Sequence, residues 1–229
     1  MIFNSQGDAT LRQYINGQTI TPGEEEIILP GGSYLLGDVI IAAVEEVKPY
    51  AAELQYIQSS GTQYIDTGFK PNQNTRIVCD FQNMDTSALV WLFGVQPSWA
   101  VSMFDIAIYA NGTVHTGYGA NSATINCNVG TARQIVDKNK NVTTVGGVTN
   151  TLGAQTFQAE ITAVLFAYRH KDGIGNNAKA RIYSCQIYDN GTLVRDFIPV
   201  LDNNGVACLY DKVEGKLYYN QGSGAFSYT

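Results

Sequence analysis

Between Arg181 and Tyr219 the chain alternates apolar and polar residues with a period of two. Ile182, Ser184, Gln186 and Tyr188 fall on one parity, and Tyr183, Cys185 and Ile187 on the other. A period of two predicts strand, not helix. Three turn signals cut this stretch: Asp189-Asn190-Gly191, Asp202-Asn203-Asn204-Gly205 and Glu214-Gly215. Each supplies residues that tolerate a positive φ, so the pattern reads as strands joined by hairpins. The run VRDFIPV is apolar on both parities, which predicts a strand covered on both faces, as in a two-layer sandwich.

The same reading extends backwards. NTRIVCDFQ alternates, SALVWLFGV reads as a buried strand with Trp91 in the core, and MFDIAIYANGTVHTGY reads as a hairpin turning at Asn111-Gly112. ARQIVDKNKNVTTVGG and ITAVLFAYRH add further strands, with residues 173–178 as a loop. The total comes to roughly twelve to fourteen strands with minimal helix. Ahead of these, Met1 to about Tyr50 reads as short strands and turns: ATLRQYI, QTITPG, EEEIILP and YLLGDVIIAAVEEV. In the last of these Val39-Ile40-Ile41 predicts a buried strand, and AAVEEV either extends it or starts a helix. Lys48-Pro49-Tyr50-Ala51-Ala52 reads as the linker. A module of about fifty residues buries too little surface to stabilise itself easily, so its strands are expected to pair with another chain or with the larger domain.

Charge sharpens this division. Residues 1–53 hold eight acids and two bases, net −6, whereas residues 54–229 hold twelve of each. A neutral main domain lacks the clustered Lys and Arg that phosphate binding needs, so nucleic acid is excluded as a partner. The most apolar run, YLLGDVIIAAV, is cut by Asp38 and is too short to span a bilayer, so no membrane insertion is expected. MIFNSQGDAT lacks the basic start and apolar core of a signal peptide. Cys79, Cys127, Cys185 and Cys208 are scattered without a CxxC pair and read as buried free thiols of a chain made in a reducing cytoplasm.

The residues RIYSCQIYDNGTLVRDFIPVLDNNGVACLYDKVEGKLYYNQGSGAF resemble the C-terminal signature of concanavalin A-like, laminin G-like jelly-roll domains found in tail and surface proteins of phages and prophages. LQYIQSSGTQYIDTGF, residues 54–69, is similar to the first strand of the same domains, so the resemblance spans about residues 54–229. TITPGEEEIILPGGSYLLGDVIIAAV resembles a small β module recurrent in phage tail and adhesion proteins. The resemblance implies an all-β, two-sheet antiparallel jelly-roll sandwich over residues 51–229, preceded by a small β-rich module over residues 1–50. It further implies a virion protein made in the bacterial cytoplasm and attached to other virion proteins through residues 1–50. A homo-oligomer follows from the avidity that weak glycan sites gain through multiplicity, and a trimer is the first expectation by analogy with fibres.

Catalytic chemistry finds little support. Glycoside hydrolysis needs two carboxyls at close range, and after Leu54 the only glutamates are Glu160 and Glu214, far apart in sequence. Asp80, Asp85 and Asp105 are the nearest substitutes. His115 and His170 have no nucleophile motif around them, and no zinc spacing occurs. Calcium is the one metal the composition leaves open, through Asp202, Asn203, Asn204 and Asp211, yet these are also ordinary turn residues, and no cofactor is expected.

Sugar binding needs an aromatic face with polar groups beside it. The middle of the chain holds that inventory: Trp99, Asp105, Tyr109, Asn111, His115, Tyr118 and Asn121, with residues 117–122 as a polar, flexible loop. The expected function is therefore a non-enzymatic virion protein that binds host-surface or mucosal glycans. A purely structural decoration protein is the alternative, and a glycoside hydrolase a more distant one.

Overall fold

The computed structural model describes residues 48–98 and 101–229 in full and, within residues 1–47, the backbone of several short strands. The chain divides into two compact units, residues 1–48 and 49–229. In the first, Ile2–Phe3, Ala9–Arg12 and Thr19–Ile20 form an antiparallel sheet. Tyr34–Leu36 pairs antiparallel with Val39–Ile41, and Leu29–Pro30 runs parallel to Ala43–Val44. Ala43–Val44 is thus strand; the rest of AAVEEV, from Glu45, lies outside the described residues.

The second unit is built from two sheets, and no helix occurs among the described residues. The larger sheet runs in the order Val148–Thr151, Val142–Val145, Arg133–Asn139, Thr75–Asn83, Ala180–Asp189, Thr192–Leu201, Ala207–Asp211 and Lys216–Tyr218. The smaller runs Ile65–Asp66, Val164–Leu165, Val90–Val95, Met103–Ile108, Val114–Gly119 and Asn121–Ile125. Antiparallel pairing dominates both; the short strand Tyr168–His170 runs parallel to Val95. The all-β, two-sheet architecture expected from the alternation is the one found.

Alternation explains the interior. In Thr75–Asn83 burial alternates perfectly, placing Ile77, Cys79 and Phe81 inward. Ile182, Cys185 and Ile187 meet them from the neighbouring strand, and Phe93, Phe104, Ile106 and Val114 close the core from the smaller sheet. Asn190, at φ 49°, and Gly191, at φ 83°, turn the long hairpin, which is why that Asn-Gly pair is required there. The four cysteines are free, and all but Cys127 are fully buried.

Two departures from the alternation matter. The run ITAVLFAYRH is not one strand: Phe166 adopts φ 66° and splits it into Val164–Leu165 and Tyr168–His170. Phe166 is fully buried, donates its N–H to the Leu92 carbonyl and accepts from Ala178 N–H, so core packing holds a conformation its side chain disfavours. The expected loop after it contains a further strand, Gly173–Gly175. In Arg133–Asn139, Val136 and Lys138 face inward while Ile135 is 58% exposed. Lys138 is entirely buried, and its Nζ donates to Thr116 Oγ1 at 2.8 Å and lies 4.8 Å from the Phe104 ring centre. Thr116 in turn bonds Thr143 at 2.9 Å, a polar bridge between the two sheets. Burial pushes the Lys138 ammonium down to about 7, with the attraction of Asp105 opposing the fall.

Candidate functional site

The sequence candidates separate in the structure. Trp99 lies outside the described residues. Tyr118 must be withdrawn as a ligand residue: it points into the core, packs edge-on to Phe157 and donates its hydroxyl to the Gln73 carbonyl at 2.8 Å. The parity of its strand, Val114–Gly119, dictates this, since Val114, Thr116 and Tyr118 share the inner face. Residues 117–122 are likewise not a flexible loop: residues 117–119 end one strand, Asn121 and Ser122 begin the next, and Ala120 alone joins them. Asn111 folds back on its own turn, accepting from Thr113 N–H and Oγ1, and Asn121 is tied to the Gly153 carbonyl. Tyr109 is half-buried at the end of its strand.

Asp105 and His115 do come together, on the outer face of the smaller sheet. Trp91, Ala107 and His115 are register partners across three strands, and Gly94, Asp105 and Gly117 form the next rank. Trp91 is buried as expected, but on this outer face and not in the core: its ring lies 4.6 Å from Tyr168 and 6.3 Å from His115. The glycines are required, because a Cβ on Gly94 would sit 2.4 Å from the Asp105 Cβ and one on Gly117 would sit 2.7 Å from its Oδ2. The arrangement is sealed, however. Asp105 is 0% and Trp91 only 9% exposed. Both Asp105 oxygens, Trp91 Nε1 and His115 Nε2 are buried without a hydrogen-bond partner among the described residues, although His115 Nε2 lies 3.2 Å from Asp105 Oδ1. The aromatic ring exposed here is the half-buried Tyr168, which packs on Trp91 on one side and His170 on the other.

An open site lies elsewhere, in a cavity of about 550 Å³ lined by Asp66, Gly68, Arg195, Glu214, residues 216–219 and Gln221. That size is ordinary for a small-ligand pocket. Its floor is Arg195, only 12% exposed in its side chain. Nε donates to the Thr67 carbonyl at 3.0 Å, and Nη1 meets the Val194 carbonyl at 2.6 Å and Glu214 Oε1 at 2.7 Å. No acceptor engages Nη2 among the described residues. Glu214 is steadied by the Tyr218 hydroxyl at 2.5 Å. Burial, then this bond to the Glu214 carboxylate, pushes the Tyr218 hydroxyl well above the usual phenol range, so it stays a donor.

Asp66 stands on the opposite wall. Its Oδ1 accepts from Gly68 N–H at 3.0 Å and its Oδ2 from Arg169 at 2.7 Å; Arg169 also contacts Thr162. Burial acts to raise this carboxyl, but the bonds from Gly68, Thr162 and Arg169 outweigh it and hold Asp66 below the usual carboxylate range. Tyr219 also lines the cavity. It is 39% exposed, and its hydroxyl is anchored to Asp202 Oδ2 at 3.0 Å, which fixes the ring. The segment that follows is laced to residues 62–64: Gln221 N–H donates to the Tyr64 carbonyl, Ser223 N–H to the Thr62 carbonyl, and Tyr64 N–H to Asn220 Oδ1.

The calcium candidates are taken up in capping turns. Asp202 Oδ1 accepts from Asn204 and Val206 N–H, and Asp211 Oδ1 accepts from Asp196 and Val213 N–H. No cluster of three or more metal-ligating side chains occurs among the described residues.

No protein-family model matches the chain, and no curated protein sequence does. Solved structures do. The CBM40 of the Ruminococcus gnavus IT-sialidase aligns at 15% identity over 60% of this chain and 91% of its own, with a TM-score of 0.45. The same module bound to alpha2,3 sialyllactose gives 15% identity, 61% and 91% coverage and 0.46. A native heptameric SAP-like pentraxin from Limulus polyphemus gives 10% identity, 60% and 77% coverage and 0.42. At these TM-scores the similarities carry no functional assignment for this chain.

Proposed function

We propose that residues 49–229 are a non-enzymatic glycan-binding domain whose site is the cavity between Asp66 and Tyr219. The observation that carries this reading is the pairing of an exposed, hydroxyl-anchored Tyr219 ring with carboxylate and guanidinium groups already held in place. A pyranose offers a CH face to an aromatic ring and hydroxyls that both donate and accept, and this cavity presents the complement. Holding the groups beforehand lowers the ordering cost of binding. Hydrolysis is disfavoured, because a general acid must hold its proton near neutrality, whereas its hydrogen-bond partners hold the Asp66 carboxyl below the usual range.

The test is a glycan-array screen of the full chain beside Tyr219→Ala. Binding that the variant loses by about tenfold or more supports the site. A folded protein that binds no glycan overturns the reading and favours decoration of a particle. The expected setting belongs to this proposal too: a phage or prophage virion, with attachment through residues 1–50 and a trimer. Particles that incorporate a chain lacking those residues, or a monomer in sedimentation, would count against it.

A further inference from the structure

We infer that this cavity takes uncharged sugars and rejects carboxylated ones; the inference rests on the glycan-binding reading above and specifies its ligand. The argument is a census of charge and of unused hydrogen-bonding capacity. Two carboxylates, Asp66 and Glu214, line the cavity, each about one-third exposed in its side chain. Asp66 accepts from Gly68, Thr162 and Arg169, and Glu214 accepts from Tyr218 and is ion-paired with Arg195. A carboxylate oxygen can accept two bonds, so both carboxylates keep capacity for a hydroxyl donor.

The positive charge on the floor is not open in the same way. The Arg195 guanidinium lies 2.7 Å from Glu214 and 3.6 Å from Asp211, a fully buried carboxylate whose Oδ2 has no hydrogen-bond partner. One cation therefore already answers two anions. Arg169 is likewise committed to Asp66. Among the lining residues only Lys216 adds another cation, and it is exposed to solvent, 5.2 Å from the Tyr218 ring centre. A sugar carboxylate entering this space would meet two partly desolvated carboxylates without a free counter-charge on the floor. A neutral sugar meets the remaining acceptor capacity of both carboxylates and the Nη2 donors of Arg195.

The experiment is a titration of the full chain against matched pairs of immobilised glycans: terminal glucose with glucuronic acid, galactose with galacturonic acid, lactose with 3′-sialyllactose. The inference expects each neutral member that binds to do so at least about tenfold more tightly than its acidic partner. The gap should narrow with added salt and again in Glu214→Gln, with melting temperature confirming that the variant is folded. An acidic member that binds as well as or better than its neutral partner overturns the inference while leaving the glycan-binding reading intact. Failure of every glycan to bind the folded chain overturns both.

Discussion

Lys138 is the residue whose removal should most improve the fold. Its ammonium is completely buried and has one hydrogen-bond acceptor, Thr116 Oγ1, and burial lowers it from 10.5 to about 7. A tenfold change in proton affinity corresponds to roughly 1.4 kcal/mol, so keeping the charged form in the folded state costs on the order of 5 kcal/mol. The unfolded chain holds this proton more tightly, so it binds more protons between about pH 7 and 10.5. Stability therefore climbs across that window by roughly 1.4 kcal/mol per pH unit; below it the full penalty stands.

Lys138→Met keeps the length of the side chain and removes the charge. It forfeits the bond to Thr116 and the attraction of the Phe104 ring, each worth about 1 kcal/mol, while Thr116 and Thr143 keep one another. The variant should be more stable than the parent by about 2–4 kcal/mol near pH 6, and the difference should vanish near pH 10. Urea unfolding followed by tryptophan fluorescence at a series of pH values measures this directly. A variant that is less stable near pH 6, or a difference that does not change with pH, would refute the argument.

Four further outcomes follow from the same geometry. Asp105→Asn removes the attraction that opposes the fall of Lys138, so the rising limb of the stability curve should begin at a lower pH; an unchanged curve would show that the two do not interact. Gly222→Ala would put a Cβ 2.1 Å from the Thr62 carbonyl oxygen, so it should cost about 1–3 kcal/mol and speed hydrogen exchange in residues 219–226. Phe166→Ala should cost about 3–5 kcal/mol in urea unfolding, because the ring is lost from a fully buried position. His115→Ala should leave glycan affinity within about twofold of the parent, since His115 belongs to the sealed face; a tenfold loss would move the site there.

Much of the fold was legible because period-two alternation and Asn-Gly turns act locally. Thr75–Asn83 and the hairpin at Asn190-Gly191 lie where their own residues place them. What was hidden depends on contacts distant in sequence. The break at Phe166 is imposed by hydrogen bonds to Leu92 and Ala178, and ITAVLFAYRH contains no glycine or proline to announce it. Lys138 shares its parity with Val136, so burying one buries the other, and Ile135 is turned to solvent as a consequence. Residue type marks Asp105 and His115 as candidates and the register brings them together, but on a largely buried face of the sheet. The sequence does not announce the cavity because its walls come from residues 66, 68, 195, 214, 216–219 and 221, which are distant in the chain and drawn from both sheets. Asp202-Asn203-Asn204-Gly205 and Glu214-Gly215 were read as turns; their further work, anchoring Tyr219 and meeting Arg195, has no local signature.

The central claim is where a glycan sits. Backbone amide shifts of the full chain, followed by NMR during titration with the strongest glycan from the array, test it most directly. The account predicts that the perturbed amides cluster at residues 66–68, 195 and 214–221. Perturbation centred on Trp91, His115 and Tyr168, or no perturbation at saturating glycan, would contradict it.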